Sequence, residues 1–243
     1  MMRFFACLCV FAFFLSSAFA GFHDDCLTKF IECDMTSTSN RGIERNETMS
    51  SVQAVAISRW WEGCLGIQGY KNAFDFMVSG QVWFPFTNFD FETSRIALGA
   101  GGLYHYQAYK NISREDDFIA YSTFRYQSKK GTTISFYGGY GFKFTKILAI
   151  YDYTGYIRDR YPSMGMTIDK IWSNGFELYF EHALHDLYRY PLFCSPHYAL
   201  GVAKNMDSGL RYGGEISMRV VDGYAASPYV DSLLFHLSMR YSF

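Results

Sequence analysis

Near the C-terminal end of the sequence, Phe235, Leu237, Met239, Tyr241 and Phe243 alternate with His236, Ser238, Arg240 and Ser242. In an extended strand the first set lies on one face and the second on the other, so one face is apolar and the other polar. The same period of two runs through the chain from about Ile57 onward. It predicts about ten strands, whose apolar parity falls within 61–67, 74–84, 96–106, 118–126, 134–144, 164–172, 176–184, 198–202, 210–220 and 235–243. Eight or twelve strands are the neighbouring even numbers. The links between the runs also alternate. "SKKG", "SNG" and "KNMDSG" read as tight turns with Gly where positive φ is needed. "KNISRED", "KILAIYDYTGYIRDRYP", "RYPLFCSPH" and "DGYAASPY" read as longer loops on the opposite end of the sheet. The first hairpin breaks this rule, with a short "GYKN" and a long "PFTNFDFE".

Before these runs the pattern is different. Residues 1–20, "MMRFFACLCVFAFFLSSAFA", have Arg3, an apolar stretch and an Ala-Phe-Ala site, the marks of a cleaved secretory signal peptide. Residues 21–56 are mostly polar and lack a clear period, and Leu27, Phe30 and Ile31 could line a short helix. This segment is expected to be a polar N-terminal extension, either a periplasmic linker or a small plug. Residues 57–243 form the third region, the barrel.

Composition decides which way the apolar faces point. Aromatics make up 20% of the chain while 19% is charged, which suits apolar side chains that alternate with polar ones and gather in bands. The opposite parity of the same runs carries Glu62, Asp75, Asp169, Glu177, Glu181 and Glu215 together with Arg95, Arg125, Lys143, Arg211, Arg219 and Arg240. Buried charges require partners, and this set is balanced in sign. Aromatic faces of this bulk would overfill the interior of a small barrel. They suit lipid, with the charges in the lumen. The fold class is therefore all-β, a single antiparallel transmembrane β-barrel.

The net charge of -1 argues against a nucleic-acid partner. Of the six cysteines, Cys7 and Cys9 fall in the signal peptide. Cys26, Cys33, Cys64 and Cys194 allow three disulfide pairings, with no metal-type spacing.

The signal peptide, alternating strands with aromatic faces, short inner turns and a final strand ending in Tyr241 and Phe243 together resemble small bacterial outer-membrane β-barrels of the OmpX, OmpW and OmpA-domain group. The resemblance implies a place in the bacterial outer membrane, with membrane lipid and the barrel-assembly machinery as partners. It also implies that Phe235, Leu237, Met239, Tyr241 and Phe243 are the barrel-assembly signal.

Few constellations suggest chemistry. In "FEHALH", His182 and His185 point to opposite sides of a strand, so no metal site is expected. Glu177, Glu181 and His185 share the lumen face and are expected to pair with Arg211 and Arg219. With Glu215 and Arg240 they form the predicted lumen charge network. His236 and Ser238, with Glu215 and Ser217, hold raw material for a Ser–His nucleophile, but the spacing is not diagnostic. The glycines of "LGAGGLYHY" and "YGGYGF" are read as making room for bulky neighbours or bends. The tyrosines and arginines of "KILAIYDYTGYIRDRYP" fit either an external recognition loop or an aromatic girdle carried upward by long strands. The reading that results is a non-enzymatic barrel with a structural or surface-interaction role, an extracellular ligand engaged through its loops, no cofactor, and a narrow or closed lumen. A small-solute porin and a lipid-modifying enzyme are the alternatives.

Overall fold

The computed structural model describes residues 28–40, 47–70, 73–84, 89–109, 113–150, 153–183, 197–222 and 228–243. They form β1 (Thr28–Asn40), β2 (Glu47–Ile57), β3 (Trp61–Tyr70), β4 (Ala73–Trp83), β5 (Phe89–Asp90), β6 (Ser94–Tyr109) and β7 (Ser113–Ser128). These are followed by β8 (Thr132–Ile150), β9 (Tyr153–Ile171), β10 (Phe176–Ala183), β11 (His197–Asn205), β12 (Leu210–Asp222) and β13 (Pro228–Ser242). Each strand pairs antiparallel with its neighbours, β4 pairs with β6, and β1 pairs with β13. Twelve strands thus close a barrel, and the two-residue β5 lies outside the ring against Ile96 and Arg95 of β6.

The wall has the polarity of a membrane barrel. Its outer positions carry large exposed apolar side chains such as Leu237 (67%), Leu200 (57%), Ile216 (54%) and Phe136 (45%). Its inner positions carry polar groups that are almost wholly buried, among them Glu32 (1%), Asp117 and Arg211. A water-soluble barrel would reverse this arrangement, whereas lipid outside and polar groups within match it. All ten predicted strands are present with the predicted parity.

The strand number and the N-terminal boundary need correction. The barrel has twelve strands rather than ten, because the expected extension of residues 21–56 supplies the first hairpin. From Thr28 onward its described residues are neither helix nor plug: they are β1 and β2, which pair with each other and with β13 and β3. The pattern failed there for a physical reason. In β1 the aromatic Phe30 faces inward and is buried. In β2 small Ala54 and Ala56 face out while Val55 turns inward against a buried apolar cluster, so the two faces differ little. The expected signal peptide lies outside the described residues, as do Cys26, Cys194 and His185.

The predicted tight turns are confirmed between β7 and β8, β9 and β10, and β11 and β12. Gly131, Gly175 and Gly209 sit there at φ of 80, 78 and 83°. Side chains with a Cβ rarely adopt this conformation. Thr28 and Phe243 lie at the same end, and the Phe243 amide donates to the Lys29 carbonyl at 3.0 Å. That end is the periplasmic one by the usual layout of such barrels. The segment "KILAIYDYTGYIRDRYP" belongs to the facing ends of β8 and β9, 19 residues each, with only 151–152 outside the described strands. Its described residues are strand rather than loop, with Tyr156 exposed and Tyr161 turned into the lumen, where its hydroxyl donates to Asp117.

Candidate functional site: the lumen

Among the described lumen-facing side chains, three charged groups and one apolar group stand out beside the Lys143–Glu115 ion pair of β8 and β7. The largest is centred on Glu32 of β1. Its carboxylate accepts from Gln53 Nε2 at 3.0 Å, from Arg240 Nη2 at 2.9 Å and from Arg211 Nη1 at 3.4 Å. Arg211 grips Glu177 with two parallel hydrogen bonds, Nε to Oε2 at 2.9 Å and Nη2 to Oε1 at 2.8 Å, and Asn205 donates to the same carboxylate at 2.9 Å. Paired forks of this type are the strong form of charged hydrogen bond. The Arg240 guanidinium also lies 4.1 Å over the Phe30 ring.

The second group holds Glu62, which accepts from Arg125 through both oxygens, from Gln81 Nε2 at 2.6 Å and from Trp83 Nε1 at 3.3 Å. The third joins β1 to β13: His236 Nε2 is 3.2 Å from Asp34 Oδ1, and Ser51 donates to Asp34 Oδ2 at 3.2 Å. The apolar group contains Cys64, Met77, Leu103, Ile119 and Tyr121, with Val55, Tyr137 and Tyr161 packed against it.

Toward the turn end these groups enclose a cavity of about 480 Å³. Five arginines and five carboxylates line it, including Arg59, Arg95, Glu62 and Asp169. Beyond it the lumen is filled by side chains. Asp75, His105, Gln107 and Ser163 are buried there, with Asp75 directly opposite Gln107 across β4 and β6.

The predicted network gains a centre that was not expected, Glu32 of β1. Glu177, Glu181, Arg211, Glu215 and Arg240 all occupy lumen positions, and Glu177 meets Arg211. Arg219 lies in β12, opposite His197 and Ser232 in register, and His185 lies outside the described residues. Sequence reasoning missed Glu32 and Asp34, the acids that draw β13 to β1. The alternation in "IECDM" was the signal that could have found them, since Ile31, Cys33 and Met35 take one parity and Glu32 and Asp34 the other. His182 stacks on Tyr198 with ring centroids 4.5 Å apart, at a lipid-facing position. His236 and Ser238 are lumen-facing, and Ser238 Oγ lies 3.4 Å from Arg211 Nη1. Phe235, Leu237, Met239, Tyr241 and Phe243 are exposed on the outer face.

The sequence matches no family model and no curated protein. Its fold is similar to that of solved outer-membrane proteins. A NanC porin shares 10% identity, with 86% of this chain and 98% of that chain covered and a TM-score of 0.61. The KdgM porin shares 8% identity over 87% and 99% of the two chains, with a TM-score of 0.54. The outer membrane phospholipase A from Escherichia coli shares 9% over 88% and 92%, with a TM-score of 0.52. These neighbours and the apolar exterior agree on a bacterial outer-membrane β-barrel, without singling out the OmpX, OmpW and OmpA-domain group.

Proposed function

We propose that the chain is a narrow porin-type channel for small polar solutes, with the turn-end cavity as its vestibule and the filled middle of the lumen as its restriction. The observation that carries this reading is the vestibule itself, a cavity of about 480 Å³ that ends on the buried carboxylate of Glu32. The equal number of arginines and carboxylates in its lining favours neutral or zwitterionic solutes over a strongly charged one. The KdgM porin has been captured with disordered oligogalacturonate, a polyanion, and the balanced lining here suggests a different preference for this chain.

The test is conductance of the refolded full-length chain in planar bilayers. Small discrete steps with near-equal cation and anion permeability are expected, and His105→Ala, which removes a buried side chain from the restriction, should enlarge them. The second reading is the structural barrel with a closed lumen, favoured by the near-complete burial of Glu32 and Arg211. Absence of steps in both proteins would establish it and sink the channel. A non-enzymatic role accords with the positions of His236 and Ser238, which face the lumen rather than the acyl chains of the bilayer.

The outward array from Phe235 to Phe243 remains the proposed assembly signal. Deleting Phe243 should lower insertion in cells while leaving refolding in detergent intact, and an equal loss in both assays would reduce the residue to a stability role.

A further inference from the structure

At the end opposite the turns, the outer face carries a cluster of cations. Arg114 of β7 pairs in register with Lys146 of β8, and Arg158 and Arg160 of β9 pair with Phe144 and Phe142 of β8. All four basic residues occupy lipid-facing positions, and the three arginines are exposed. Their height along the barrel can be worked out. From Trp172 to Pro162 the outward positions of β9 span ten residue steps, which at about 3.3 Å per residue and a tilt of about 40° rise roughly 25 Å, the height of the apolar band of such barrels. Arg160 and Arg158 follow directly. On β8 the outward run from Ile134 to Phe144 has the same length, and Lys146 comes next. The cluster therefore stands where lipid headgroups begin.

Beneath it the same wall has a cavity of about 520 Å³, floored by Gly80, Gly102 and Ala120 and flanked by Tyr104, Phe118 and Phe142. The Arg160 guanidinium lies 5.8 Å over the Phe142 ring, so the cations and the cavity share a wall residue. Asp116 is the carboxylate on this face among the described residues, and it accepts from the Tyr104 hydroxyl at 2.7 Å. Glu115 and Asp159 have the other parity and pair in register with Thr145 and Lys143. Four cations stand against one anion at the edge of hydrocarbon.

We propose that this face binds a membrane lipid whose headgroup carries phosphate monoesters, with phosphate on Arg114, Lys146, Arg158 and Arg160 and an acyl chain in the cavity below. The net excess of positive charge exceeds what one phosphodiester would neutralise and matches a headgroup bearing two phosphates. Arginine supplies planar paired donors for phosphate, and the small floor residues leave an open groove between Tyr104, Phe118 and Phe142 along which an acyl chain can lie.

The test uses the full-length chain refolded in neutral detergent. Thermal unfolding is followed with bis-phosphorylated lipid A, with phosphatidylcholine or with inorganic phosphate as the additive. Lipid A should raise the midpoint, and the other two should not. In R158Q/R160Q the lipid A concentration needed for the same rise should increase roughly tenfold or more, while R158K/R160K should keep most of the response. Ala120→Leu, which fills the cavity, should weaken the response by a smaller factor. Boil-dependent gel mobility checks that each variant is folded, and R114Q/K146Q on the adjoining strands gives an independent reading of the same loss. An unchanged lipid A response in both charge variants, or a response matched by inorganic phosphate, would overturn the proposal.

Discussion

Between β10, β12, β13 and β1 the lumen face is held mainly by guanidinium–carboxylate contacts, with Tyr179 over Gly201 beside them, whereas between β6 and β9 tyrosine rings laid over glycines predominate beside the Lys143–Glu115 ion pair. On the first flank Arg211 joins Glu177 to Glu32, and Arg240 joins Glu32 to β13. On the second, Tyr121 lies directly opposite Gly101, Tyr161 opposite Gly141 and Tyr137 opposite Gly165. A Cβ at Gly101 would sit 2.7 Å from the Tyr121 ring, and one at Gly141 or Gly165 would run into the ring of Tyr161 or Tyr137. Missing side chains on one strand thus receive a ring from the next, a cross-strand pair that fills the lumen wall without adding charge. The comparison shows that one alternating wall can be stapled by two unrelated chemistries. The ionic flank is sensitive to loss of a partner, and the aromatic flank to gain of volume.

The largest effect should come from breaking the ionic flank. Arg211→Ala leaves Glu177 buried without its guanidinium and Glu32 with Arg240 alone, and should lower unfolding free energy by about 3–5 kcal/mol, read by urea titration in detergent. Replacing Arg211 and Glu177 together by Met and Leu should cost much less, because no charge is then stranded. A double variant as unstable as Arg211→Ala would show that the pair is not the staple.

Overfilling the aromatic flank should rank next. Gly165→Val should cost about 1–3 kcal/mol in the same titration, and adding Tyr137→Ala should recover part of it. Gly138→Ala, one strand away and facing out with nothing within 4 Å of its Cβ, should stay within about 0.5 kcal/mol. A turn lesion should bear on both flanks alike. Gly175→Ala in the β9–β10 turn forces φ of 78° on an alanine and should cost about 1 kcal/mol.

The outer face of the barrel was largely legible in the sequence because lipid asks only that every second residue be apolar. The ten predicted strands meet that demand with bulky side chains such as Phe136, Leu200 and Leu237. β1 and β2 meet it with Ile31 and Met35 but also with Cys33, Ala54 and Ala56, too small to stand out, and Phe30 and Val55 on the lumen side blur the period further. The lumen charges were legible as a set but not as pairs. Arg240 and Glu32 are 208 positions apart, and their meeting depends on the closure of β13 onto β1. The tyrosine and glycine pairs were hidden for the same reason. "YGGYGF" shows that glycine and tyrosine are neighbours along the chain, while the contacts that matter run across to Gly165 and Tyr161.

The β1–β13 seam has a consequence for how the barrel can come into being. Eleven register pairs, from Phe30 with Ser242 to Asn40 with Ser232, join the earliest described strand to the last one made. A partial wall that lacks β13 has two raw edges of backbone amides and carbonyls, which hydrocarbon cannot hydrate. The cylinder therefore has no stable half-built form within the bilayer, and β1 must be kept from pairing with a foreign strand until its own partner arrives. The carboxylates of Glu32 and Asp34 act as a keyed latch in this respect. Each has a counterpart on β13, Arg240 and His236, and a strand without a base and an imidazole at those two places would leave an acid stranded in the wall.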